Sequence, residues 1–225
     1  MSETKIRLGI LYNYTSGPWG GVNSFFRNFN RYAQADPMVD VTSKISEADF
    51  ILTVGHYSGP GAVMEKWQLT NISQGLSHNN VLGRIIGRGK KKLTFRLDGL
   101  RRIYAPEASQ VDEPLIKNLP LADSVVFQSN YSRNCFYDQG LKCPQYQNII
   151  LNGTEPKFFF PDPNIKMNSK KICIISNSWS TNHNKGFNII TQFSKLHNVS
   201  VLHIGNWPQD IPLEKVQLLG VMEEK

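Results

Sequence analysis

The feature that most constrains the fold of this chain is a repeating order of short, largely apolar segments and amphipathic segments. Ile6–Tyr12 and Phe50–Val54 are apolar runs of strand length, and Val22–Ala33, between them, carries its apolar residues at three- and four-residue spacing. Such runs are typical of strands that helices cover on both faces of a parallel sheet. The order therefore predicts an α/β fold with a parallel sheet at its centre.

The same order continues through the first two thirds of the chain. Further strands are predicted at Val39–Thr42, Leu93–Leu97, Ser124–Gln128 and Gln147–Leu151, and further helices at Ala62–Leu69, Pro114–Leu119 and Asn130–Gly140. Three glycine-containing pairs, Gly20–Gly21, Asp98–Gly99 and Asn152–Gly153, lie in loops after predicted strands. Ligands of parallel sheets bind at the carboxyl ends of strands, so these loops are candidates for a site.

The strand–helix order begins again after a segment rich in proline and asparagine. Residues 161–170 have no apolar period, which predicts a linker. Strands at 171–175, 199–204 and 216–220 and a helix at 187–196 follow. We therefore predict a Rossmann-like N-terminal domain over 1–160 and the first part of a second Rossmann-like domain over 171–225. The second part has about 55 residues, fewer than such a domain usually needs.

A polar loop leads from the first strand of this second part into its helix. Lys185 and Gly186 lie where the helix is predicted to begin, shortly after Ser178. A helix N-terminus carries unpaired N–H groups and partial positive charge, so it attracts phosphate, and a lysine there adds a full charge. The loop predicts a phosphate-bearing ligand.

The net charge of +7 comes from one stretch of the chain. Residues 84–102 contain eight basic residues and a single acidic one, Asp98. One interpretation is a patch that faces an anionic membrane surface or a phosphorylated substrate, and the other is a solvated turn. Nucleic acid is disfavoured as a partner because aromatic residues do not interleave with the charges and no nucleic-acid-binding motif is present.

Targeting and metal signals are weak. The N-terminus has no basic, apolar and small-residue pattern of a secretory signal, which predicts a cytoplasmic protein, with a peripheral membrane location if the basic stretch binds lipid. The three cysteines, Cys135, Cys143 and Cys173, lack metal-ligand spacing and are interpreted as ordinary thiols.

Five segments, taken in order, resemble the GT-B glycosyltransferases, and within them the family-four retaining enzymes. They are Gly20–Val22, Phe127–Ser132, Ile149–Thr154 with the following Phe159-Phe160-Pro161, Ser176–Gly186, and Val201–Gly205. Each segment is weak alone, and the combination is specific. The resemblance extends over nearly the whole chain and spans the acceptor half of the family with the opening of its donor half.

The resemblance implies transfer of a sugar, of the hexosyltransferase type, from a nucleotide diphosphate to a glycan, lipid-linked or protein acceptor. It implies no metal and no cofactor, since the nucleotide sugar is a substrate. The residues placed at the nucleotide sugar are Gly20, Gly21, Asn152, Ser178, Lys185 and Gly186. Asp98 is the candidate catalytic residue, which orients an acceptor hydroxyl or acts as a base, and its alternative is a turn aspartate. His56 and His78 are weaker candidates of the same kind.

The sequence departs from the family in its last residues. Family members continue after the segment that ends at Gly220 with a proline–serine turn and a glycine-rich motif that contains two glutamates. We therefore expect a truncated donor domain that associates with a missing half. The alternative function is a non-catalytic remnant that binds a carbohydrate or a partner. A Rossmann-type oxidoreductase is disfavoured because the first loop lacks the G-x-G-x-x-G pattern.

Overall fold

The computed structural model describes residues 4–14, 20–55, 57–59, 62–63, 69–71, 91–157, 160–164 and 172–222. The chain divides into two compact units, with the main boundary between Gly153 and Thr154. We call them the first unit and the second unit. The domain limits expected from the sequence, at residues 160 and 170, stay a prediction.

The first unit is built around a six-stranded parallel sheet with strand order β2-β1-β3-β6-β7-β8. Its strands are β1 (Ile6–Leu11), β2 (Val39–Thr42), β3 (Phe50–Thr53), β4 (Tyr57–Gly59), β5 (Ala62–Val63), β6 (Lys92–Leu97), β7 (Ser124–Phe127) and β8 (Tyr146–Ile149), of which β4 and β5 form a separate antiparallel pair. Its helices are α1 (Gly20–Ala35), α2 (Glu113–Asn118) and α3 (Asn130–Asp138). In the sheet, β2 lies on one side of β1 and β3 lies on the other. The topological switch point, where the strand order reverses direction, is therefore between β1 and β3.

Alternate residues of the strands pack into two separate apolar clusters, because successive side chains point to opposite faces of a sheet. Phe26 of α1 packs with Leu52 and Val54 on one face. The larger cluster lies on the other face and comprises Ala48, Ile51, Leu69, Leu93, Phe95, Leu97, Leu100, Leu115, Leu119, Val125, Phe127, Cys135 and Phe136. Burial of each large side chain contributes about 1.5–3 kcal/mol, so this larger cluster dominates the stability of the first unit.

One predicted element differs from the structure. Ala62–Val63, placed at the start of a helix by the sequence, pairs antiparallel with Tyr57–Gly59. The turn-forming residues Pro60 and Gly61 lie between the two strands in the sequence and favour a chain reversal over a helix start. Residues 64–68 of the predicted helix lie outside the described residues.

The second unit repeats the strand–helix–strand order on a smaller scale. It contains β9 (Ile172–Ser178), α4 (Phe187–Ser194), β10 (Val199–Gly205) and β11 (Val216–Gly220), with the parallel strand order β11-β10-β9. Phe187, Val201, Ile211 and Val216 are buried there. The predicted α/β architecture with two parallel sheets is confirmed. Within the described segments, no helix combines the length and the apolar character required to cross a membrane.

Candidate functional site

Four polar side chains meet at the carboxyl ends of three neighbouring strands in the first unit. Arg96 is near the end of β6 and Asp98 follows it, while Gln128 follows β7 and Asn152 comes shortly after β8. We call these four residues the polar cluster. Since β6, β7 and β8 are adjacent in the sheet, residues that are up to 56 positions apart in the sequence become neighbours.

Arg96 is the centre of the polar cluster. Its Nη1 donates to Oδ1 of Asp98, and its Nη2 donates to Oε1 of Gln128 at 3.2 Å and to Oδ1 of Asn152 at 3.1 Å. Its guanidinium carbon lies 4.1 Å from the ring centroid of Phe25, on α1. Arg96 is only 3% exposed, and a buried charge without partners costs several kcal/mol, so these contacts are required for its burial.

The two amides of the polar cluster are also bonded to each other and to the backbone. Nδ2 of Asn152 donates to Oε1 of Gln128 at 3.0 Å, and Nε2 of Gln128 donates to the carbonyl of Asp98 at 3.2 Å. The Asp98 side chain in its ion pair with Arg96 keeps 39% of its surface exposed. The polar cluster therefore presents a carboxylate to solvent, and neighbouring amides hold the chain around it.

The start of α3 is tied to the end of β6, which fixes the position of Gln128. Ser129 caps α3 by accepting a hydrogen bond from the Ser132 amide at 3.0 Å, and the Ser132 hydroxyl donates to the carbonyl of Leu97 at 2.8 Å. The cap satisfies an otherwise unpaired amide of the helix. Both bonds hold the loop after β7 against the loop after β6.

An apolar groove of about 340 Å³ lies on the α1 face of the sheet, next to the polar cluster. Phe25 and Phe29 of α1 line it on one side, and Leu8, Leu52 and Val126 line it from the strands. Arg96 is also in its lining. The aromatic ring that packs on Arg96 thus belongs to both the groove and the polar cluster.

The structure brings together two of the predicted site residues, Asp98 and Asn152. Arg96 and Gln128 were missed as site residues, since Arg96 was counted only as part of the basic stretch. A signal for Arg96 was present, because a charge inside the apolar strand Leu93–Leu97 requires a buried partner. Gln128 belongs to the Phe127–Ser132 segment that carried the family resemblance, but its neighbours across the sheet are not visible in the sequence.

The predicted glycines Gly20 and Gly21 are the first two residues of α1. A Cβ atom added to Gly21 meets no described heavy atom within 4 Å, so packing against the described residues does not demand glycine there. The amides of the first turn of this helix have the partial positive charge of any helix N-terminus.

The other predicted residues lie at the end of β9 and in the loop before α4 in the second unit. Ser178, predicted to lie in that loop, is the last residue of β9, because the strand continues three residues beyond its predicted end. Gly186 has φ of 83°, a left-handed conformation that favours glycine, and no side chain caps α4 behind it. Its amide already donates to the carbonyl of His183 at 3.1 Å. Lys185, immediately before it, is exposed, and the described part of the chain supplies no carboxylate partner for its ammonium group. The loop thus places a cation beside an uncapped helix start.

Internal hydrogen bonds hold this loop in place. The Ser178 hydroxyl donates to the carbonyl of Ser180 at 2.6 Å, so it shapes the loop in this structure. The side chain of Asn182 accepts from the Asn184 amide at 2.9 Å. Both bonds restrict the segment that leads to Lys185.

A buried histidine packs against the first residue of α4. The Nε2 atom of His203 lies 3.0 Å from the carbonyl of Asn206, which only accepts, so Nε2 carries the proton. Its Nδ1 then accepts from the Ser176 hydroxyl at 2.8 Å. The ring packs edge-on against Phe187, the first residue of α4, with a centroid distance of 5.6 Å. His203 is fully buried and braces α4.

Most described members of the basic stretch have partners within the first unit. Lys91 is buried and donates to the carbonyls of Ser46 and Ala48 at 2.8 and 2.5 Å. Lys92 pairs with Asp123, Arg96 with Asp98, and Arg102 with Asp112 and Glu113. Three of these charges thus have a carboxylate partner and the Lys91 ammonium is buried, so a contribution to an anionic surface falls to Arg101 and to residues 84–90. The latter lie outside the described residues, as do His56 and His78.

Burial is the main cause of a shifted pKa at Cys143 and Tyr14, which lie in the first unit outside the polar cluster. Burial raises the pKa of the Cys143 thiol above its usual range. Burial also raises the pKa of the Tyr14 phenol, against a smaller opposing effect of the positive charge of Arg27. Across the described residues, no three histidine, cysteine or carboxylate side chains are grouped as metal ligands.

The fold has a counterpart among solved structures. No protein-family model and no curated protein matches the sequence. The crystal structure of Alr3699/HepE from Anabaena, in complex with UDP-glucose, is similar to this chain with a TM-score of 0.51 and 13% sequence identity. The likeness covers 96% of this chain and 69% of that chain. It confirms the predicted fold class, an α/β fold of the GT-B type with Rossmann-like sheets.

Proposed function

We propose that this chain belongs to a glycosyltransferase of the family-four type, which transfers a sugar from a nucleoside diphosphate to a hydroxyl acceptor. The observation that carries the proposal is the extent of the fold likeness, since both units fall within the 96% of the chain that resembles a structure in complex with UDP-glucose. The fold alone does not establish an activity. The residues of the two candidate sites supply the chemical argument.

The second unit is the proposed donor side. When the bond between the sugar C1 atom and the diphosphate oxygen breaks, the electron pair and negative charge move to the leaving diphosphate. Lys185 and the first-turn amides of α4 stabilise that charge, which lowers the barrier. Because the Gly186 amide is already bonded to His183 and Phe187 is fully buried, we place the diphosphate at the amide of the exposed residue Asn188. Ser178 holds the loop and binds the nucleotide sugar through its remaining acceptor capacity.

The first unit is the proposed acceptor side. In this proposal Asp98 accepts a hydrogen bond from the attacking hydroxyl, orients it, and takes its proton as the new bond from oxygen to C1 forms. The Asn152 amide and the first-turn amides of α1, at Gly20 and Gly21, provide further donors to the nucleotide sugar. A glycan, lipid-linked or protein hydroxyl fits this scheme, and the reaction needs no cofactor. In the same proposal the protein is cytoplasmic and contacts an anionic membrane surface.

A nucleotide-sugar panel tests this function. UDP-glucose, UDP-galactose and GDP-mannose are added to the chain, first alone in a thermal-shift measurement and then with free disaccharides or a polyprenyl-phosphate-linked sugar in vesicles. A ligand that binds the native state at 100 times its Kd stabilises it by about 2.7 kcal/mol. Stabilisation with sugar transfer supports the enzyme, and stabilisation without transfer supports the non-catalytic alternative. Neither response to any donor would overturn the proposed function.

The variant Lys185→Ala tests whether the loop before α4 is the site that stabilises the leaving diphosphate. Loss of one group that stabilises developing charge lowers kcat by about 10²–10³-fold, with the fold unchanged. Lys195→Ala is the matched control, since Lys195 is an exposed lysine of the same unit whose ammonium pairs with Glu214 at 3.3 Å. Normal turnover of Lys185→Ala would refute the role of this lysine.

A further inference from the structure

Arg96 does not fit the usual surroundings of an arginine. It lies inside the apolar strand β6, with Phe95 and Leu97 on either side, and only 3% of it is exposed. On the α1 face the Phe25 ring packs 4.1 Å from its guanidinium carbon. A cation over an aromatic ring is attracted to it, and the flat guanidinium also makes close apolar contact there. Phe25 therefore fixes the plane of the guanidinium.

Within that plane, the guanidinium determines how the neighbouring side chains are oriented. Two amide oxygens, from Gln128 and Asn152, accept hydrogen bonds from the same Nη2 atom. Because both oxygens face Arg96, each amide nitrogen must point away from it, which accounts for the bonds from Gln128 to the Asp98 carbonyl and from Asn152 to Gln128. A lysine offers a compact charge instead of a planar fork and does not impose this orientation.

Arg96 and Asp98 differ in their access to a ligand. The Asp98 side chain is 39% exposed, while the Arg96 side chain is 3% exposed. Substrate atoms can therefore reach the carboxylate but not the guanidinium behind it. Any effect of Arg96 on a reaction must act through the groups that it holds.

We propose that Arg96 is a positioning residue for the acceptor, which holds Asp98, Gln128 and Asn152 in a single arrangement at the ends of β6, β7 and β8. This inference rests on the proposed function, since it assigns the acceptor to the polar cluster. The ring of Phe25 contributes to this arrangement because it packs against the guanidinium of Arg96. A displacement of reacting groups by about 1 Å costs about 10²-fold in rate, so loss of the planar fork has a large effect even where positive charge is retained.

The test compares Arg96→Lys with Arg7→Lys in the full chain. Arg7 is the matched control, because it is an arginine of the same unit whose Nη2 pairs with Asp49 at 2.8 Å on the exposed surface. With UDP-glucose and the disaccharides as probes, we expect Arg96→Lys to lower kcat by about 10²-fold. Because Asn152 is itself a proposed donor to the nucleotide sugar, the KM for UDP-glucose should rise as well, but by less than kcat falls. Arg7→Lys should leave both constants unchanged.

Side-chain NMR provides a measurement that does not depend on activity. In the wild type, the side-chain amide resonances of Gln128 and Asn152 should show slow hydrogen exchange, and in Arg96→Lys they should exchange like free amides with the backbone spectrum unchanged. If Arg96→Lys does not fold, Phe25→Leu replaces it and should give the same changes to a smaller extent. Unchanged kcat, or unmoved amide resonances in a folded variant, would overturn the positioning role. Absence of transfer by the wild type would instead overturn the proposed function, while the amide resonances still report whether Arg96 orders the polar cluster.

Discussion

The two units use the same strand–helix–strand construction but cover their sheets to different extents. In the first unit six strands are paired side by side and the larger apolar cluster fills one face. In the second unit three strands are described, and Ile172 and Ile175 of β9 are 62% and 65% exposed. The first four residues of β9 are as apolar as those of a buried strand, but three of them, Ile172, Cys173 and Ile175, are exposed.

Because of this difference, we expect the two candidate sites to differ in rigidity. The polar cluster is attached to the six-stranded sheet with its large core, whereas the loop with Lys185 is attached to a smaller sheet with fewer buried side chains among the described residues. Regions with fewer buried apolar contacts open at lower free energy. We therefore expect the polar cluster to be preorganised and the loop with Lys185 to become ordered when a ligand binds.

Core truncation tests this comparison with the largest expected effect. Phe95→Ala removes a fully buried ring from the larger cluster and should lower the free energy of unfolding by about 3–5 kcal/mol. Phe187→Ala makes the same change in the second unit. Hydrogen exchange, measured by mass spectrometry, should increase through the first unit in one variant and through the second unit alone in the other. Equal increases in both units for both variants would show one cooperative body and contradict the comparison.

A backbone substitution tests the second unit more locally. Gly205 has φ of 106°, and a Cβ atom there would lie 2.2 Å from the carbonyl oxygen of Ser178. Strain and overlap together should make Gly205→Ala cost about 2–4 kcal/mol and displace the end of β9. Gly140→Ala is the control, with φ of 68° and no described neighbour within 4 Å of its Cβ position, and should cost about 1–2 kcal/mol. Denaturant unfolding measures both, and equal losses would contradict the close approach.

Thiol labelling compares the solvent accessibility of cysteine side chains in the two units and requires no substitution. Cys173 on β9 is exposed, Cys143 is partly buried and Cys135 is buried. Burial raises the pKa of Cys143, so less thiolate is present near neutral pH and its alkylation is slower. We expect Cys173 to react several-fold faster than Cys143, and Cys135 to react last, by mass spectrometry of peptides after iodoacetamide treatment. Protection of Cys173 in the native state would show that β9 is covered in solution.

The smallest expected effect concerns a surface ion pair of the first unit. The side-chain hydrogen bond from Arg7 lowers the pKa of the Asp49 carboxyl below its usual range. The stabilisation is therefore present above the unfolded-state pKa of about 3.9 and is lost as the pH falls through the lower folded-state value. Asp49→Asn should lower Tm by about 1–2 °C at pH 7 and by nothing at the acid end. A difference in Tm that grows as the pH falls would contradict this sign.

Much of the fold could be predicted from the sequence because its longer strands begin as apolar runs or contain them. The run Ile6–Tyr12 contains the observed β1, and the helix expected from Val22 is part of α1. The predicted helix at Ala62–Leu69 was wrong in its first residues, since Ala62–Val63 pairs with Tyr57–Gly59. An apolar period of this length fits a short helix and a hairpin strand equally well, and only pairing decides between them.

The candidate sites also differ in how much of them could be predicted from local sequence. Gly186 follows from a local rule, that of a glycine before a helix start, and the structure gives it a left-handed conformation. The polar cluster joins residues from three strands, and nothing local to Arg96 shows that Gln128 and Asn152 lie beside it. Counting charges also overstated the positive charge that residues 84–102 present to solvent, because Lys91, Lys92 and Arg102 each have partners elsewhere in the fold.

The long sequence separation within the polar cluster has a consequence for synthesis. Phe25 leaves the ribosome early, but Asn152 is made more than a hundred residues later. Parallel pairing of β3 with β6 likewise needs segments that are distant in the chain, and such contacts are slow to form. Asp98 is released directly after Arg96, but a nascent chain that has already formed α1 lacks the Asn152 partner of Arg96 until the last strand of the sheet is released. Until then the unpaired strand edges of the first unit are prone to aggregation.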